Sequence, residues 1–327
     1  MNIVIVGLGS MGRRRLRLLR QHAPQHALYG VDIKKERREL LEQEFNLQTF
    51  ENIHEALESC DLDSAIICSS PIAHADQITN CLKAGLHVFT ELNVVADGYE
   101  RNIQLANHEG KVLFQSATLL YRQEIETIRN MVSQTARCLY TYHVGQYLPD
   151  WHPWENYQDY FVAEVRTNAC REIFCVQLPW LIDVFGEVED INVQCTSISS
   201  LPLKYDDTYV INLLHKTGHI GSLVVDVVAR EPICSLRVSS EDLLLSWQGN
   251  PNSLRRYDIE TMQWKDIATY ASYSTQQNYQ ATIIEDAYWA ELECFFQEIS
   301  GKPCTRYTMQ EDAVTLELID RIEGALS

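Results

Sequence analysis

Along the first third of the chain, short continuous apolar runs alternate with stretches of helical period. Asn2-Ile3-Val4-Ile5-Val6 is a β-branched run of the kind that forms a strand buried on both faces. It breaks into Gly7-Leu8-Gly9-Ser10-Met11-Gly12, and the segment from Arg13 to Arg20 then reads as a helix. In that helix the arginines at 13, 14, 17 and 20 fit a solvent face. Residues 27–31 read as a second strand ending at Asp32. Helices are expected over 36–45, 53–59, 73–84 and 98–109, and strands over 47–49, 63–68, 87–90 and 112–115. Gly85 closes the third of those helices. Strands alternating with helices imply a parallel sheet wound on both faces.

The pattern changes near residue 137. Residues 138–144 are strand-like, and an aromatic stretch follows, Trp151-His152-Pro153-Trp154-Glu155-Asn156-Tyr157. A helix with an internal proline is expected over 171–185. Strand candidates then crowd together at 191–197, 208–215, 220–228, 235–239, 243–247, 255–259 and 262–264, separated by turns, which predicts hairpins of an antiparallel sheet. Helices over 283–299 and 310–326 close the chain, the second with Thr308 and Glu311 as a capping box. The expected fold is α/β: an N-terminal doubly wound Rossmann domain (1–120) and a C-terminal α+β domain (121–327) with an open, mostly antiparallel sheet, its C-terminal helix free to pack back on the Rossmann domain.

Strand, G-x-G-x-x-G, helix and a later acid form a dinucleotide-binding pattern when they occur in this order. Gly7 allows the tight turn, Gly9 lets the backbone approach a pyrophosphate, and Gly12 lets helix and strand pack closely. The N–H groups of the helix start, at Ser10, Met11 and Gly12, would face the phosphates. Asp32 would accept hydrogen bonds from the adenosine ribose and repel a 2′-phosphate. Two like charges about 4 Å apart cost roughly 4 kcal/mol at an effective dielectric of about 20. NAD is therefore the expected cofactor, and NADP is disfavoured but not excluded, because Lys34, Lys35, Arg37 and Arg38 follow closely. Ligands gather at the carboxyl ends of such strands, which here also include Ser69-Ser70-Pro71 with His74, Glu91-Leu92-Asn93, and Ser116 to Thr118.

Composition narrows the class. With 27 Lys and Arg against 45 Asp and Glu, the formal net charge of −18 argues against nucleic acid and anionic membranes as partners. No signal pattern precedes the first strand and no apolar run approaches membrane-spanning length, so a cytoplasmic protein is expected. The ten cysteines include no C-x-x-C pair and read as reduced thiols. No His, Cys, Asp or Glu spacing suggests a metal site.

The chain resembles the glucose–fructose oxidoreductase / inositol dehydrogenase (Gfo/Idh/MocA) family over nearly its whole length. The resemblance rests on the glycine turn, Ser69-Ser70-Pro71-x-Ala73-His74, Ala84-Gly85-Leu86-His87-Val88-Phe89-Thr90-Glu91, and Tyr288-x-x-Glu291-x-x-x-Phe295. It implies NAD(P)-dependent redox chemistry on a sugar or cyclitol hydroxyl, and a homodimer or homotetramer built through the second domain's sheet. The family's Glu-Lys-Pro, whose lysine orients or deprotonates the reacting hydroxyl, is here Glu91-Leu92-Asn93. The histidine and aspartate that many members carry ten and seven residues before the glycine ending the second-domain helix are Val176 and Pro179, counted back from Gly186. Proton transfer must then come from elsewhere, and His152, Tyr157 and Glu172 are the catalytic candidates, with Tyr160 a further phenol. Arg171, Asn168, Trp151 and Tyr121 are the substrate-binding candidates, Arg171 gripping a carboxylate or phosphate. Glu91, Asn93 and His74 join Gly7, Gly9, Ser10, Met11, Gly12, Asp32, Ser69, Ser70 and Pro71 as expected cofactor contacts. The expected substrate is a sugar or sugar derivative, anionic or nucleotide-linked, and the resemblance extends to surface-sugar biosynthesis and sialic-acid-like sugars. Two other readings stand beside it: a non-catalytic dinucleotide-binding regulator or partner subunit, and an enzyme that uses bound NAD transiently for epimerisation or elimination.

Overall fold

The alternation of the first 116 residues becomes a six-stranded, wholly parallel sheet in the computed structural model, which describes residues 1–151, 155–276 and 282–324. Its elements are β1 (Asn2–Val6), α1 (Ser10–His22), β2 (Ala27–Val31), α2 (Lys35–Phe45), β3 (Gln48–Phe50), α3 (Ile53–Ser59), β4 (Ser64–Ile67), α4 (Pro71–Lys83), β5 (His87–Thr90), α5 (Tyr99–Glu109) and β6 (Leu113–Gln115). The strand order β3-β2-β1-β4-β5-β6 reverses direction between β1 and β4, which is the place where such sheets open a crevice for ligands. Ile3, Val4, Ile5, Ala65, Ile66, Ile67, Val88 and Phe89 have no solvent exposure, as strands covered on both faces require.

The chain divides into two units: Met1–Ala117 with Tyr288–Val314, and Thr118–Ala287 with the stretch from Thr315 on. The boundary passes through the two closing helices, α8 (Glu285–Ile299) and α9 (Met309–Ile322), which follow the elements of the second unit described below. Within the first unit, Phe295 packs edge-on against Phe89 and Phe114, with ring centroids 5.7 and 5.9 Å apart. Thr308 and Glu311 form the expected capping box, each bonding the other's backbone N–H.

The second unit begins with a 3-10 turn (Thr118–Tyr121) and a helix the hydrophobic pattern did not announce, α6 (Gln123–Val132). Ile125, Ile128 and Val132 give it a buried stripe, but the stripe opens on the fully buried Glu124, a charge that hides it from a hydropathy reading. Glu124 is held by Arg122. β7 (Leu139–Gly145), α7 (Ala169–Phe185), β8 (Val188–Thr196), β9 (Thr208–His215), β10 (Ile220–Asp226), β11 (Ile233–Ser239), β12 (Leu244–Trp247), β13 (Arg255–Asp258) and β14 (Gln263–Asp266) follow. The strands form one sheet in the order β14-β13-β12-β11-β7-β10-β9-β8. The sheet is not built of hairpins alone: β7 pairs in parallel with β10, and the chain between them runs through α7, β8 and β9 as the crossover a parallel pair needs. α7 covers one face, with Phe185 stacked on Tyr140 at 4.0 Å and Trp180 against Tyr142 at 5.2 Å.

The expectation for the arginines of α1 needs correction. Arg13 is exposed, but Arg14 is 3% exposed and lies over the Tyr288 ring at 4.4 Å. Arg17 and Arg20 are half-buried. Among the described residues no helix is long and apolar enough to cross a membrane. None of the ten cysteines forms a disulfide; five are buried and Cys195 is exposed.

Candidate functional site

The first unit's candidate site is the turn from β1 into α1. Gly7 has a φ of +93°, and a Cβ there would sit 2.6 Å from the Ser69 nitrogen, so the turn presses against the end of β4. A Cβ on Gly12 would lie 1.9 Å from the Gly7 carbonyl oxygen. Both glycines are therefore demanded by the fold. Gly9 is different: its Cβ would meet only the Arg37 side chain, at 3.5 Å, and its φ of −75° suits any residue. Its bareness is left for a ligand to explain, and open space over a turn that feeds a helix is what a diphosphate needs. Ser10, Met11 and Gly12 form the first turn of α1, which carries no acidic residue and no side-chain cap.

Asp32 is 6% exposed. The Leu8 N–H donates to its Oδ2 and the Lys34 N–H to its Oδ1, both at 2.8 Å, so the carboxylate also fixes the glycine turn. At the end of β4, Ser70 is the exposed N-cap of α4 and Pro71 its first residue, while the Ser69 hydroxyl donates to Gln77 Oε1 at 2.6 Å.

Three expected cofactor contacts are hydrogen-bonded within the first unit. His74 is 2% exposed, with Nε2 3.0 Å from the Ser69 carbonyl and Nδ1 2.7 Å from Asn93 Oδ1. Burial pulls its pKa below the usual histidine value, and the Asn93 and Ser69 bonds offset this in part. Asn93 is also 2% exposed, and its Nδ2 donates to Gln115 Oε1 at 2.7 Å. The chain Ser69–His74–Asn93–Gln115 ties together the ends of β4, β5 and β6. Glu91 accepts from Arg15 Nε at 2.5 Å. Arg15, wholly buried, also donates to Glu291 Oε2 at 2.7 Å and to the Tyr288 carbonyl at 2.9 Å, and Glu291 Oε1 accepts from the Ala117 N–H at 2.7 Å. Burial alone would lower the Arg15 pKa; Glu91 and Glu291 more than offset it and hold the guanidinium charged. Sequence reading missed Arg15, although Leu18 and Leu19, three and four residues on, put it on the core face of α1.

The second unit's candidates gather at the start of α7. Asn168 is the N-cap: its Oδ1 accepts from the Arg171 N–H at 2.8 Å, and its Nδ2 donates to Val165 O and to Glu323 Oε1. Arg171 pairs with Asp320, at 2.8 Å, and with Glu323. Both residues, expected to hold substrate, here join the helix start to α9. Glu172 has a different setting. Along α7 from Ala169 to Leu181 all residues but Glu172 and Val176 are buried, and these two half-buried side chains stand one turn apart on one face. Burial pushes the Glu172 carboxyl up to about 7, with no cation beside it among the described residues. The half-buried tyrosines 160 and 205 feel its charge, and partial burial raises both phenols above the usual tyrosine value. Tyr157 is half-buried in a 3-10 turn capped by Asn156. The Trp151 Nε1–H donates to the Gln146 carbonyl at 3.0 Å, and Tyr121 ends the turn before α6, half-buried. His152 lies outside the described residues. Among the described residues no three His, Cys, Asp or Glu side chains gather as metal ligands would.

Residues 1–116 match the model of an oxidoreductase family with an NAD-binding Rossmann fold, Gfo/Idh/MocA. Human biliverdin reductase A is 31% identical over 132 residues, 40% of this chain and 44% of that protein. Myo-inositol 2-dehydrogenase of Thermotoga maritima is 26% identical over 136 residues, 40% of each chain. The matches thus span under half the length of these relatives. A levoglucosan dehydrogenase solved with NADH shares the fold at a TM-score of 0.82 and 12% identity, over 99% of this chain and 96% of that one.

Proposed function

We propose that the chain, whose first 116 residues match the Gfo/Idh/MocA oxidoreductase family, oxidises or reduces a sugar-like substrate with a nicotinamide dinucleotide, Glu172 carrying the proton. The observation that carries this reading is Glu172 itself, a half-buried carboxyl that burial pushes up to about 7, on the same helix face as Val176. An acid or base is most effective when its pKa lies near the working pH. The family's usual histidine position is Val176, and Glu172 stands one turn away.

The first unit would hold the dinucleotide: the first turn of α1 against its phosphates, Asp32 against its adenosine ribose. The bound nicotinamide would supply the hydride acceptor or donor. Glu172 would take the hydroxyl proton during oxidation and return it during reduction. With Arg171 and Asn168 engaged in the α9 clamp, the described groups that act on Tyr160 together with Glu172 are Glu155 and Tyr205, and such phenols and carboxyls suit a neutral polyol. Inositol and levoglucosan, named with the relatives above, are neutral polyhydroxylated rings. A second reading, cofactor binding without turnover, draws on Leu92, half-exposed where the family carries lysine.

The test is a redox screen of neutral sugars and cyclitols with NAD(P)⁺, followed by pH profiles of wild type and Glu172→Gln. Oxidation should rise with pH through about 7, and Glu172→Gln should lower kcat by roughly 10²–10⁴ and abolish that limb. An unchanged kcat and pH profile in the variant would remove Glu172 from the chemistry. Cofactor binding with no turnover on any substrate would favour the second reading.

A further inference from the structure

We propose, resting on the sugar-like substrate reading above, that Gln177 is a specificity-determining residue of the Glu172 site, its side-chain amide nitrogen donating to a hydroxyl oxygen of the neutral polyol.

Gln177 is 8% exposed on α7 and lies directly after Val176. Its Oε1 accepts from the Trp180 Nε1–H and from the Tyr142 hydroxyl, each at 2.8 Å. An indole nitrogen can only donate, so the atom facing Trp180 is the amide oxygen and the flip of the group is fixed. Burial raises the Tyr142 phenol well above its usual value, which keeps its hydrogen for Oε1. The half-buried Cys234 places its Sγ 3.4 Å from the same phenol oxygen. Trp180 and Tyr142 meet edge to face with ring centroids 5.2 Å apart, and both are almost wholly buried, so the amide oxygen is held from two sides.

The nitrogen is left over. Five side-chain amides are buried among the described residues, those of Asn93, Asn102, Gln115, Asn168 and Gln177. Asn93 donates to Gln115, Gln115 to the Ser116 carbonyl, Asn102 to the Ala75 carbonyl, and Asn168 to the Val165 carbonyl and Glu323. Gln177 Nε2 alone has no acceptor among the described residues, although two hydrogen bonds fix its oxygen. A role confined to accepting from Tyr142 and Trp180 would leave two N–H bonds idle in a buried side chain, which protein interiors seldom tolerate. Glu172 stands one turn before Val176 and Gln177 directly after it, so acid and amide flank the same half-buried stretch of α7. A substrate oxygen completes the group. A neutral amide supplies no counter-charge for a phosphate or carboxylate, and a fixed donor separates a ring that carries the matching hydroxyl from one that lacks it.

The test is titration of wild type, labelled for nitrogen NMR, with myo-inositol and with levoglucosan in the presence of NADH. The readout is the Gln177 side-chain amide pair, assigned through its proximity to the Trp180 indole N–H. Steady-state kinetics of Gln177→Glu run alongside; that variant keeps an acceptor for Tyr142 and Trp180 and loses the amide hydrogens. At least one sugar should shift the Gln177 pair saturably. For that sugar the variant should raise KM about fivefold or more while kcat stays within about threefold and Tm is unchanged. A merely structural role would lower Tm and leave KM in place. The proposal is overturned if a sugar that binds wild type leaves the Gln177 pair unmoved. It is equally overturned if Gln177→Glu lowers kcat and kcat/KM alike or leaves both as they are; where the variant does not fold, the wild-type signals decide. Failure of both sugars to bind wild type would instead refute the neutral-polyol reading, and this inference with it.

Discussion

At Asp312 a single carboxyl couples stability to pH. It is 1% exposed and accepts from the Tyr99 and Tyr307 hydroxyls, and burial pushes it up to about 7 despite those bonds. Between its ordinary value of 3.8 and about 7, the folded chain keeps a proton that the unfolded chain has released. Stability from this group therefore falls as pH rises through that window and levels off above it. Asp312→Asn should flatten the decline in Tm between about pH 5 and 8 and leave the variant the more stable at pH 8. Parallel declines in the two proteins would show that Asp312 is ionised when folded. Sequence reading placed Glu172 at the start of α7 and could not see what holds its neighbours. Residue type says that an arginine can grip an anion; it does not say that Asp320 and Glu323, some 150 positions away, already hold it. The same limit applied to Asn93 and His74, whose partners converge only when β4, β5 and β6 align.

Elements were more legible than contacts. The glycine turn, the strands of the first sheet and the proline-containing helix fall within a few residues of their expected places, because burial on both faces and turn chemistry leave local signatures. α6 left none, since its buried face includes the Arg122–Glu124 pair. The parallel pairing of β7 with β10 was likewise invisible, because it joins strands that are far apart in sequence. The Tyr288, Glu291 and Phe295 pattern behind the family resemblance has a structural meaning: a ring facing Arg14 and Arg15, a carboxylate for Arg15, and an aromatic wedge against Phe89 and Phe114. The second sheet carries a further reading, that it joins two copies of the chain. On the face opposite α7, Leu214, Ile220 and Leu139 stand in direct cross-strand register and are 40%, 52% and 49% exposed. We propose that this row forms the core of a homodimer, where each apolar side chain buried is worth roughly 1.5–3 kcal/mol and appears twice by symmetry. Light scattering should give a dimer or larger for wild type and a monomer for Ile220→Glu. A monomeric wild type, or an unchanged mass in the variant, would refute the interface.

For the whole molecule, the net charge of −18 makes the positive end of α1 and the Arg37 guanidinium local exceptions in an acidic protein. An anionic cofactor would find its attraction there, at the open end of the first sheet. Cofactor binding therefore turns on what Gly9 is for. Gly7 and Gly12 are required by packing, so their replacement would test the fold; Gly9 is not, and its replacement tests the ligand. The most direct measurement is a fluorescence titration of NADH into wild type and Gly9→Val, with Tm recorded for both. Saturable binding by wild type, weakened about tenfold or more in a variant of unchanged Tm, is the predicted result. Equal affinity in the two proteins, or no binding by wild type, would contradict it.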